Sequence, residues 1–435
     1  MAKDQFIHFV GIGGIGVSAL AKYYLHRGVA VSGSDLKSSE ITEELKNLGT
    51  EVYIGPHQRS NLPQDAKMVV YTAAAPKDNP ELLEAKRRKI KTRSYAEAVG
   101  ELTKKYKTIA VSGAHGKSTT TALTALILEE GYFDPTVIIG TKVKEFGGSN
   151  FRKGSGAYLV LEADEWNKSF LNYSPHIAVV TNIDTEHLDT YKNVGAVEKT
   201  FREFLKKVPR QGAIVANADD PRLKQLAPKL KKRVVWYSLK DREASAVRRV
   251  LKVPGEHNVS NALAALRVGQ ILGVCQADIL RALSRFSGTW RRFDFQGIRN
   301  GAYIFSDYGH HPQEIQATLT AARGHFPFRR IWCVYQPHQY QRLAYLWNDF
   351  TRAFDRADRI CLLPVYNVAG RETKKAKVQV SSLRLSHELL RRGKNIRHLA
   401  TFDEAKQHIL AESRPGDVIL VMGAGDIHAL SKSLV

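Results

Sequence analysis

The stretch VSGAHGKSTTTALTALILEE, residues 111–130, ends an apolar run at Gly113 and opens a helix-like one. Between them stand Gly113, Ala114, His115, Gly116, Lys117, Ser118 and Thr119. Small residues let successive backbone N–H groups turn toward a phosphate, and the positive end of a following helix favours the same anion. Lys117 is placed to neutralise β- and γ-phosphate oxygens, and Ser118 to put its hydroxyl on Mg2+. The general phosphate-loop pattern asks for glycine at 111, where Val111 stands, so this is a shortened G-x-x-G-K-S. A structural turn fits the letters too. The strand before it and the helix after it favour a nucleotide cradle.

A second glycine loop, GIGGIG, covers residues 11–16. Gly11, Gly13 and Gly16 satisfy G-x-G-x-x-G behind a strand, with Gly14 and Ile15 inside the motif and Asp35 closing the next strand. Such a loop lets the backbone approach a diphosphate. On these residues a dinucleotide and a nucleotide-sugar diphosphate are both open readings. Two acidic groups follow. LVLEADEWNKSF places Glu162, Asp164 and Glu165 at a strand end, and VVTNIDTEHLDTY places Asp184, Glu186, His187 and Asp189 beyond another. Parallel sheets bind ligands at the carboxyl ends of their strands. A carboxylate and a histidine converging there beside the phosphate loop would bind Mg2+, although a histidine ligand is atypical for that ion.

These residues need strands that end in loops. QFIHFV, VAVSGSD and KMVVYTAAA read as strands of a first unit. TIAVSGAHGKS opens a second, with GAYLVLEAD, IAVVTNI and GAIVANADD as further strands. After FSGTWRRFDF a third unit carries AYIFSDYG, RRIWCVYQP, RICLLPVY and DVILVMGAG. AEAVGELTKKYK reads as a connecting helix and HNVSNALAALRVGQILG as an amphipathic one. Strands alternating with helices predict an α/β protein with parallel sheets. The expected domains are 1–97, 98–288 and 289–435.

Bulk properties bound the rest. A chain of 435 residues is too long for one core and fits two to four domains. No stretch of about 18 apolar residues occurs, so no membrane-spanning helix is expected. The opening MAKDQFIHFVGIGG reads as strand and turn, not as a signal peptide. Cys275, Cys333 and Cys361 lie far apart and match no zinc or disulfide spacing, so a reducing cytoplasm is the simplest setting. The net charge of +22 is spread along the chain rather than gathered in a tail. It fits a solvated basic surface or polyanionic substrates better than nucleic acid, for which no binding module is present.

In order, the chain carries GIGGIGVSALA, VSGSD, YTAAAPKDNPE, GAHGKSTTT, EADEWNKSFL, VVTNIDTEHLDTY, PGEHNVSNALAA, RRFD, SDYGHHPQEI, QPHQYQRL and GAGDI. With these motifs it resembles the Mur ligase family over nearly its whole length, and its alanine-adding branch most. The resemblance implies a Rossmann-like N-terminal domain for a UDP-sugar, a central P-loop ATPase-type α/β domain, and a Rossmann-like C-terminal domain with amino-acid contacts. It implies an ATP- and Mg2+-dependent ligase of peptidoglycan precursor synthesis, which couples cell-wall biogenesis to cell shape and division. That ligase would join L-alanine to the carboxylate of UDP-N-acetylmuramate through an acyl phosphate. No nucleic-acid or membrane partner is implied, and a monomer or a dimer is open.

Under this resemblance Gly11 to Gly16 form the UDP-diphosphate loop, with Asp35 and Thr72 nearby. Lys117 and Ser118 serve ATP and Mg2+, and Glu162 and His187 form the metal pair with Ser118. His257 and Asn258 stand at adenine, while Asn261 reads as structural. Arg292 reaches an ATP phosphate, and Asp307, Tyr308, His310 and His311 form a closing loop. Arg342 pairs with the amino-acid carboxylate. The set implied for catalysis is Lys117, Glu162, His187, His310 and Arg342.

The chain also departs from the family pattern. Gln339 replaces an arginine, which opens the choice of amino acid. Trp166 and Lys168 replace smaller or acidic residues. The segment before PGEHN is short, and Arg202 stands where some relatives carry a modified lysine. Competing readings are a sibling ligase using glycine, serine or a recycled peptide, an NAD-dependent oxidoreductase built on GIGGIG, and a nucleic-acid-stimulated ATPase.

Overall fold

The computed structural model describes residues 6–184, 191, 193–367 and 378–435. Their strands form three sheets. The chain divides into two compact units, Met1–Val250 with Ser260–Phe286, and Leu251–Val259 with Ser287–Val435.

The first unit holds two sheets. In one, β1 (Phe6–Val10), β2 (Ala30–Asp35), β3 (Glu51–Ile54), β4 (Met68–Tyr71) and β5 (Lys91–Ser94) run parallel in the order β3-β2-β1-β4-β5. Strand order reverses between β1 and β4, which opens a crevice at their carboxyl ends. Gly11 follows β1 there and Thr72 follows β4. β1 is apolar at almost every position because a central parallel strand is covered on both faces; Ile7, Phe9 and Val10 are buried.

The second sheet has β6 (Lys107–Ser112), β7 (Thr136–Val143), β8 (Ser149–Arg152), β9 (Tyr158–Glu162), β10 (Ile177–Val180), β11 (Ala213–Asn217) and β12 (Val234–Tyr237). Its order is β12-β11-β10-β6-β9-β7-β8, parallel except for β8, which returns antiparallel beside β7. β6 therefore lies between β10 and β9, and the ends of these three strands meet at one edge. One hydrophobic core runs through both sheets. The helix Ile15–Leu25 of the first sheet is tied to β8: Asn150 Nδ2 donates to Ser18 Oγ at 2.8 Å, and Lys22 Nζ donates to Asn150 Oδ1 at 2.8 Å.

The second unit contains β13 (Asp294–Arg299), β14 (Ala302–Asp307), β15 (Ile331–Tyr335), β16 (Arg359–Leu362), β17 (Ile396–His398) and β18 (Val418–Met422). The order is β13-β14-β18-β15-β16-β17, parallel except for β13.

Every strand named from the sequence is present. The edge strands β3, β5, β12 and β17, the β7–β8 pair and β13 were not foreseen. Several of these are short, and their one-sided burial gives weaker patterns. The connecting helix forms as Tyr95–Thr103, started by a capping box between Ser94 and Glu97. The helix Glu256–Ile271 also forms but is not amphipathic. Val259, Ala262 to Leu266 and Val268 are all buried, because the helix is enclosed on most sides instead of lying on a surface. The helix Glu243–Val250 fills the short segment before PGEHN. Among the described residues no helix is long and apolar enough to cross a membrane.

Candidate active site

The phosphate loop joins β6 to the helix Lys117–Glu130. Two of its glycines are required by geometry. Gly113 has φ +136°, and a Cβ there would meet Thr181 Oγ1 at 2.1 Å. Gly116 has φ +83°, and a Cβ there would meet Asn261 Oδ1 at 2.3 Å. The loop is braced from the end of β10. His115 N–H donates to Asn182 Oδ1 at 2.9 Å, while Thr181 Oγ1 and Asn182 Nδ2 donate to the His115 carbonyl at 2.5 and 3.0 Å. The Ala114 N–H donates to the Asn182 carbonyl at 3.3 Å. Thr119 is buried in the first turn of the helix.

Lys117 folds back over this loop. Its Nζ donates to the Gly113 carbonyl at 2.7 Å and the Ala114 carbonyl at 3.2 Å, and pairs with Glu165 Oε2 at 3.1 Å. Glu165 is buried, and Tyr191 Oη donates to its carbonyl at 2.6 Å. The segment carrying it is anchored by Phe170, which stacks on Phe204 at 4.5 Å and meets Phe201 edge-on at 5.2 Å. Burying such a ring stabilises by roughly 1.5–3 kcal/mol.

Glu162, the last residue of β9, sits beside Ser118, whose Oγ donates to Glu162 Oε1 at 3.0 Å. The Gly140 N–H holds the other oxygen at 2.8 Å. Burial raises the Glu162 carboxyl above its ordinary range, against the pull of Lys117 and of these two hydrogen bonds. A hydroxyl and a carboxylate side by side are hard oxygen donors, the chemistry Mg2+ prefers, so the residues present fit that ion. His187, expected as the partner of Glu162, lies outside the described residues, as do Glu186 and Asp189. Asp184 is described, with its Oδ2 3.9 Å from His115 Nε2. Among the described residues no cluster of three or more metal-type side chains occurs. Asn167 and Lys168 have φ of +51° and +56°, and Lys168 points to solvent. Arg202 is exposed on the helix Val194–Lys206.

The glycine loop 11–16 sits at the crevice of the first sheet. Gly11 has φ +77°, and a Cβ on it would meet Thr72 Cγ2 at 2.5 Å. The Gly11 and Ile12 N–H groups donate to the Ser34 carbonyl at 2.8 and 3.0 Å, and the Gly13 N–H donates to Asp35 Oδ2 at 2.9 Å. The Gly14 N–H donates to the Gly11 carbonyl at 3.2 Å. Ile15 opens the helix, and a Cβ on Gly16 would meet the Tyr95 hydroxyl at 2.9 Å. The loop, Asp35 and Thr72 are thus gathered at one end of the sheet.

In the second unit, the loop after β14 is held from both sides. Asp307 accepts the Phe293 N–H at 2.8 Å and the Gly309 N–H at 2.7 Å. Burial raises its carboxyl, and Arg292 opposes that. Arg292 Nη1 donates to Glu314 Oε1 at 3.0 Å. The Tyr308 ring lies 4.8 Å from the Arg291 guanidinium and 5.3 Å from that of Arg292. His310 meets Tyr308 and His338 edge-on, at 5.4 and 5.7 Å between ring centroids, and its Nδ1 is 3.3 Å from Glu314 Oε2. His311 caps the helix Pro312–His325.

Arg342 Nη1 lies 3.2 Å from His338 Nδ1, and no carboxylate lies within ion-pair distance of it among the described residues. Gln339 holds φ +71°, unusual for a residue other than glycine, and its N–H donates to the Tyr366 carbonyl at 3.1 Å. His338 stacks on Tyr366 at 5.5 Å. Asn258 is buried, its Nδ2 donating to the Pro254 carbonyl at 2.7 Å, and neighbouring His257 lies over Gly255.

Sequence reading missed the braces. Thr181 and Asn182 stand in VVTNIDTEHLDTY but were given no role there, Gly140 lies in no motif, and Asn261, read as structural, packs directly on the phosphate loop. The surplus of Thr and Asn in VVTNI, just past a strand end, was the available signal.

A braced phosphate loop beside a hydroxyl–carboxylate pair, with a second glycine loop at a topological switch point, defines a nucleotide-phosphate-binding α/β protein. Family models cover nearly all of it: Mur ligase family, catalytic domain, at residues 6–107; Mur ligase middle domain at 111–269; and Mur ligase, glutamate ligase domain, at 291–425. The chain belongs to the Mur ligase family. It is 40% identical to a UDP-N-acetylmuramate–L-alanine ligase of Clostridium kluyveri, over 98% of this chain and 96% of that one. It is 37% identical to that of Clostridium botulinum, over 100% and 98%. The crystal structure of a UDP-N-acetylmuramate–alanine ligase from Thermotoga maritima matches with a TM-score of 0.82 at 29% identity, covering 98% of this chain and 97% of that one.

Proposed function

We propose that this protein joins L-alanine to the lactyl carboxylate of UDP-N-acetylmuramate at the expense of ATP, in peptidoglycan precursor synthesis in the cytoplasm. The observation that carries the reading is the end-to-end likeness, at 40% identity, to a ligase of that activity. The two glycine loops fit its two phosphate-bearing substrates.

A carboxylate is a poor electrophile because oxide would have to leave. Attack of its oxygen on the γ-phosphorus of ATP breaks the β–γ bridge, releases ADP and leaves an acyl phosphate. The amino nitrogen of alanine then attacks the acyl carbon. The tetrahedral adduct loses its proton and expels phosphate, and the amide remains. Lys117, whose Nζ is poised over the Gly113 and Ala114 carbonyls, exchanges these contacts for phosphate oxygens and offsets their charge. Ser118, Glu162 and His187 would hold Mg2+, which supplies charge neutralisation on the phosphates when bound. Gly113 to Thr119 wrap the phosphates, His257 and Asn258 take adenine, and Arg292 reaches a phosphate by releasing Glu314. Asp307, Tyr308 and His310 close over the nucleotide and exclude water, which would hydrolyse the acyl phosphate. Arg342, which has no carboxylate partner among the described residues, takes that of the amino acid. Domain roles follow as UDP-sugar binding for 1–97, ATP binding for 98–288 and amino-acid binding for 289–435.

Gln339 favours a second reading at one point only, the amine. Loss of an arginine charge beside Arg342 admits glycine, serine or a peptide. The test is product analysis with a sugar substrate labelled with 18O in its carboxylate. One 18O appearing in the released phosphate, together with the new amide, supports the acyl-phosphate route. Unlabelled phosphate overturns it.

A further inference from the structure

We propose that Glu81 is a positioning residue for the glycine loop 11–16, acting through Ser34; the proposal rests on reading that loop as the UDP-sugar diphosphate site. Glu81 opens the helix Pro80–Arg87, far along the chain from the loop, and its side chain is 0% exposed. Four donors saturate its carboxylate. His8 Nε2 and Ser34 Oγ donate to Oε2 at 2.8 and 2.7 Å, and His57 Nδ1 and Asn61 Nδ2 donate to Oε1 at 2.9 and 3.0 Å. His8 in turn is joined through Nδ1 to Ser32 Oγ at 2.8 Å. Burial alone would raise the Glu81 carboxyl, but the bonds from His8, Ser34 and Asn61 hold it down to about 2.

A buried carboxylate is a costly way to join strands, and a well-packed apolar residue would serve stability as well or better. What the carboxylate adds is a fixed position for Ser34. The Ser34 carbonyl accepts the N–H groups of Gly11 and Ile12, and the next residue, Asp35, accepts that of Gly13. Three successive amides of the loop are thereby tied back to the end of β2. The N–H groups of Ile15 and Gly16, at the start of the helix, make no hydrogen bond among the described residues and remain for an anion. His8, two residues before Val10 on β1, fixes the strand that leads into the same loop. Glu81 thus ties together the two strands that set the loop's shape, without touching what the loop binds.

The experiment measures binding of UDP-N-acetylmuramate without ATP, and steady-state constants for all three substrates, in the wild type, Glu81→Gln, Ser34→Ala and the double variant. Gln places an NH2 against donors on one side and so breaks the saturated set. The expected result is a KM for the sugar raised about tenfold or more in Glu81→Gln, with the KM values for ATP and alanine within twofold of wild type. Ser34→Ala raises the sugar KM in the same sense, and the double variant is no worse than Glu81→Gln, because the two act in series. A purely structural role lowers the active fraction and leaves every KM unchanged, and that result overturns the proposal, as does a double variant in which the effects multiply. If Glu81→Gln does not fold, the sugar KM of Ser34→Ala decides. A wild type that does not bind the sugar overturns the reading of the site along with the proposal, whereas sugar binding that is intact in every variant overturns the proposal alone.

Discussion

Ser118 and Glu162 meet hydroxyl to carboxylate at 3.0 Å, one from the first turn after the phosphate loop and the other from the end of the neighbouring strand. The second Glu162 oxygen is fixed by the Gly140 N–H, where a Cβ would already press on the carboxylate at 3.0 Å. The carboxylate is therefore oriented before any ion arrives. Replacing Glu162 by Gln keeps the shape and removes the charge. The expected outcome in a Mg2+ titration of phosphate release is a midpoint raised about tenfold or more, with turnover at saturation reduced about 100-fold. An unchanged Mg2+ midpoint contradicts the role.

Lys117→Ala removes the cation over the phosphate loop and leaves the first sheet untouched. Turnover is expected to fall by about 1000-fold or more, while UDP-sugar affinity by calorimetry stays within about threefold. Loss of both in a folded protein would refute the assignment of the two loops to different substrates.

Arg342→Ala is expected to raise the amino-acid KM about 10- to 100-fold, the scale of one charge-assisted pair, and to leave the ATP KM within twofold. Equal effects on the two constants sink the carboxylate clamp. Comparing alanine, glycine and serine in the same assay reads the consequence of Gln339.

Gly116→Ala places a methyl 2.3 Å from Asn261 Oδ1 at a backbone conformation glycine favours. A loss of about 1–3 kcal/mol in unfolding free energy is expected, together with weakened ATP binding. Adding Asn261→Ala removes the collision but not the φ strain, so partial recovery of stability is the expected outcome. No recovery means that the collision is not the cause.

How much of this was legible in the sequence differs by element. β1, β6, β14 and β18 are buried along most of their length, and their mainly apolar runs announce them, although β1 carries His8 in its middle. β5, KTRS, and β17, IRH, are polar edge strands whose pairing comes from their neighbours and not from their own residues. The helix Glu256–Ile271 was read in the right place with the wrong environment, since apolar spacing does not tell one covered face from three. At the site, Lys117, Ser118 and Glu162 carry chemistry in their types and positions. Asn182 and Asn261 support the loop from 67 and 145 positions beyond His115 and Gly116, and although both stand in quoted motifs, nothing in the sequence says that they reach the loop. The Glu81 cluster was not legible as a cluster, although Ser34 and Glu81 stand in the motifs VSGSD and YTAAAPKDNPE. His8, Ser34, His57 and Glu81 are ordinary residues until strand order brings them together.

That cluster also gives a pH prediction. The Glu81 carboxyl is held at about 2 in the folded protein, against an ordinary value of 4.5. A lowered carboxyl contributes stability that is fully present above the ordinary value and is lost as pH falls from there toward 2. The melting temperature of the wild type is therefore expected to fall more steeply below pH 4.5 than that of Glu81→Gln. Parallel curves would show that the carboxylate is not held by its four donors.

The most direct test of the central claim is phosphate release from ATP, Mg2+, UDP-N-acetylmuramate and L-alanine, omitting each component in turn. The account predicts release only when all four are present. Sugar-independent ATP hydrolysis, or no release from the folded protein with all four, contradicts it.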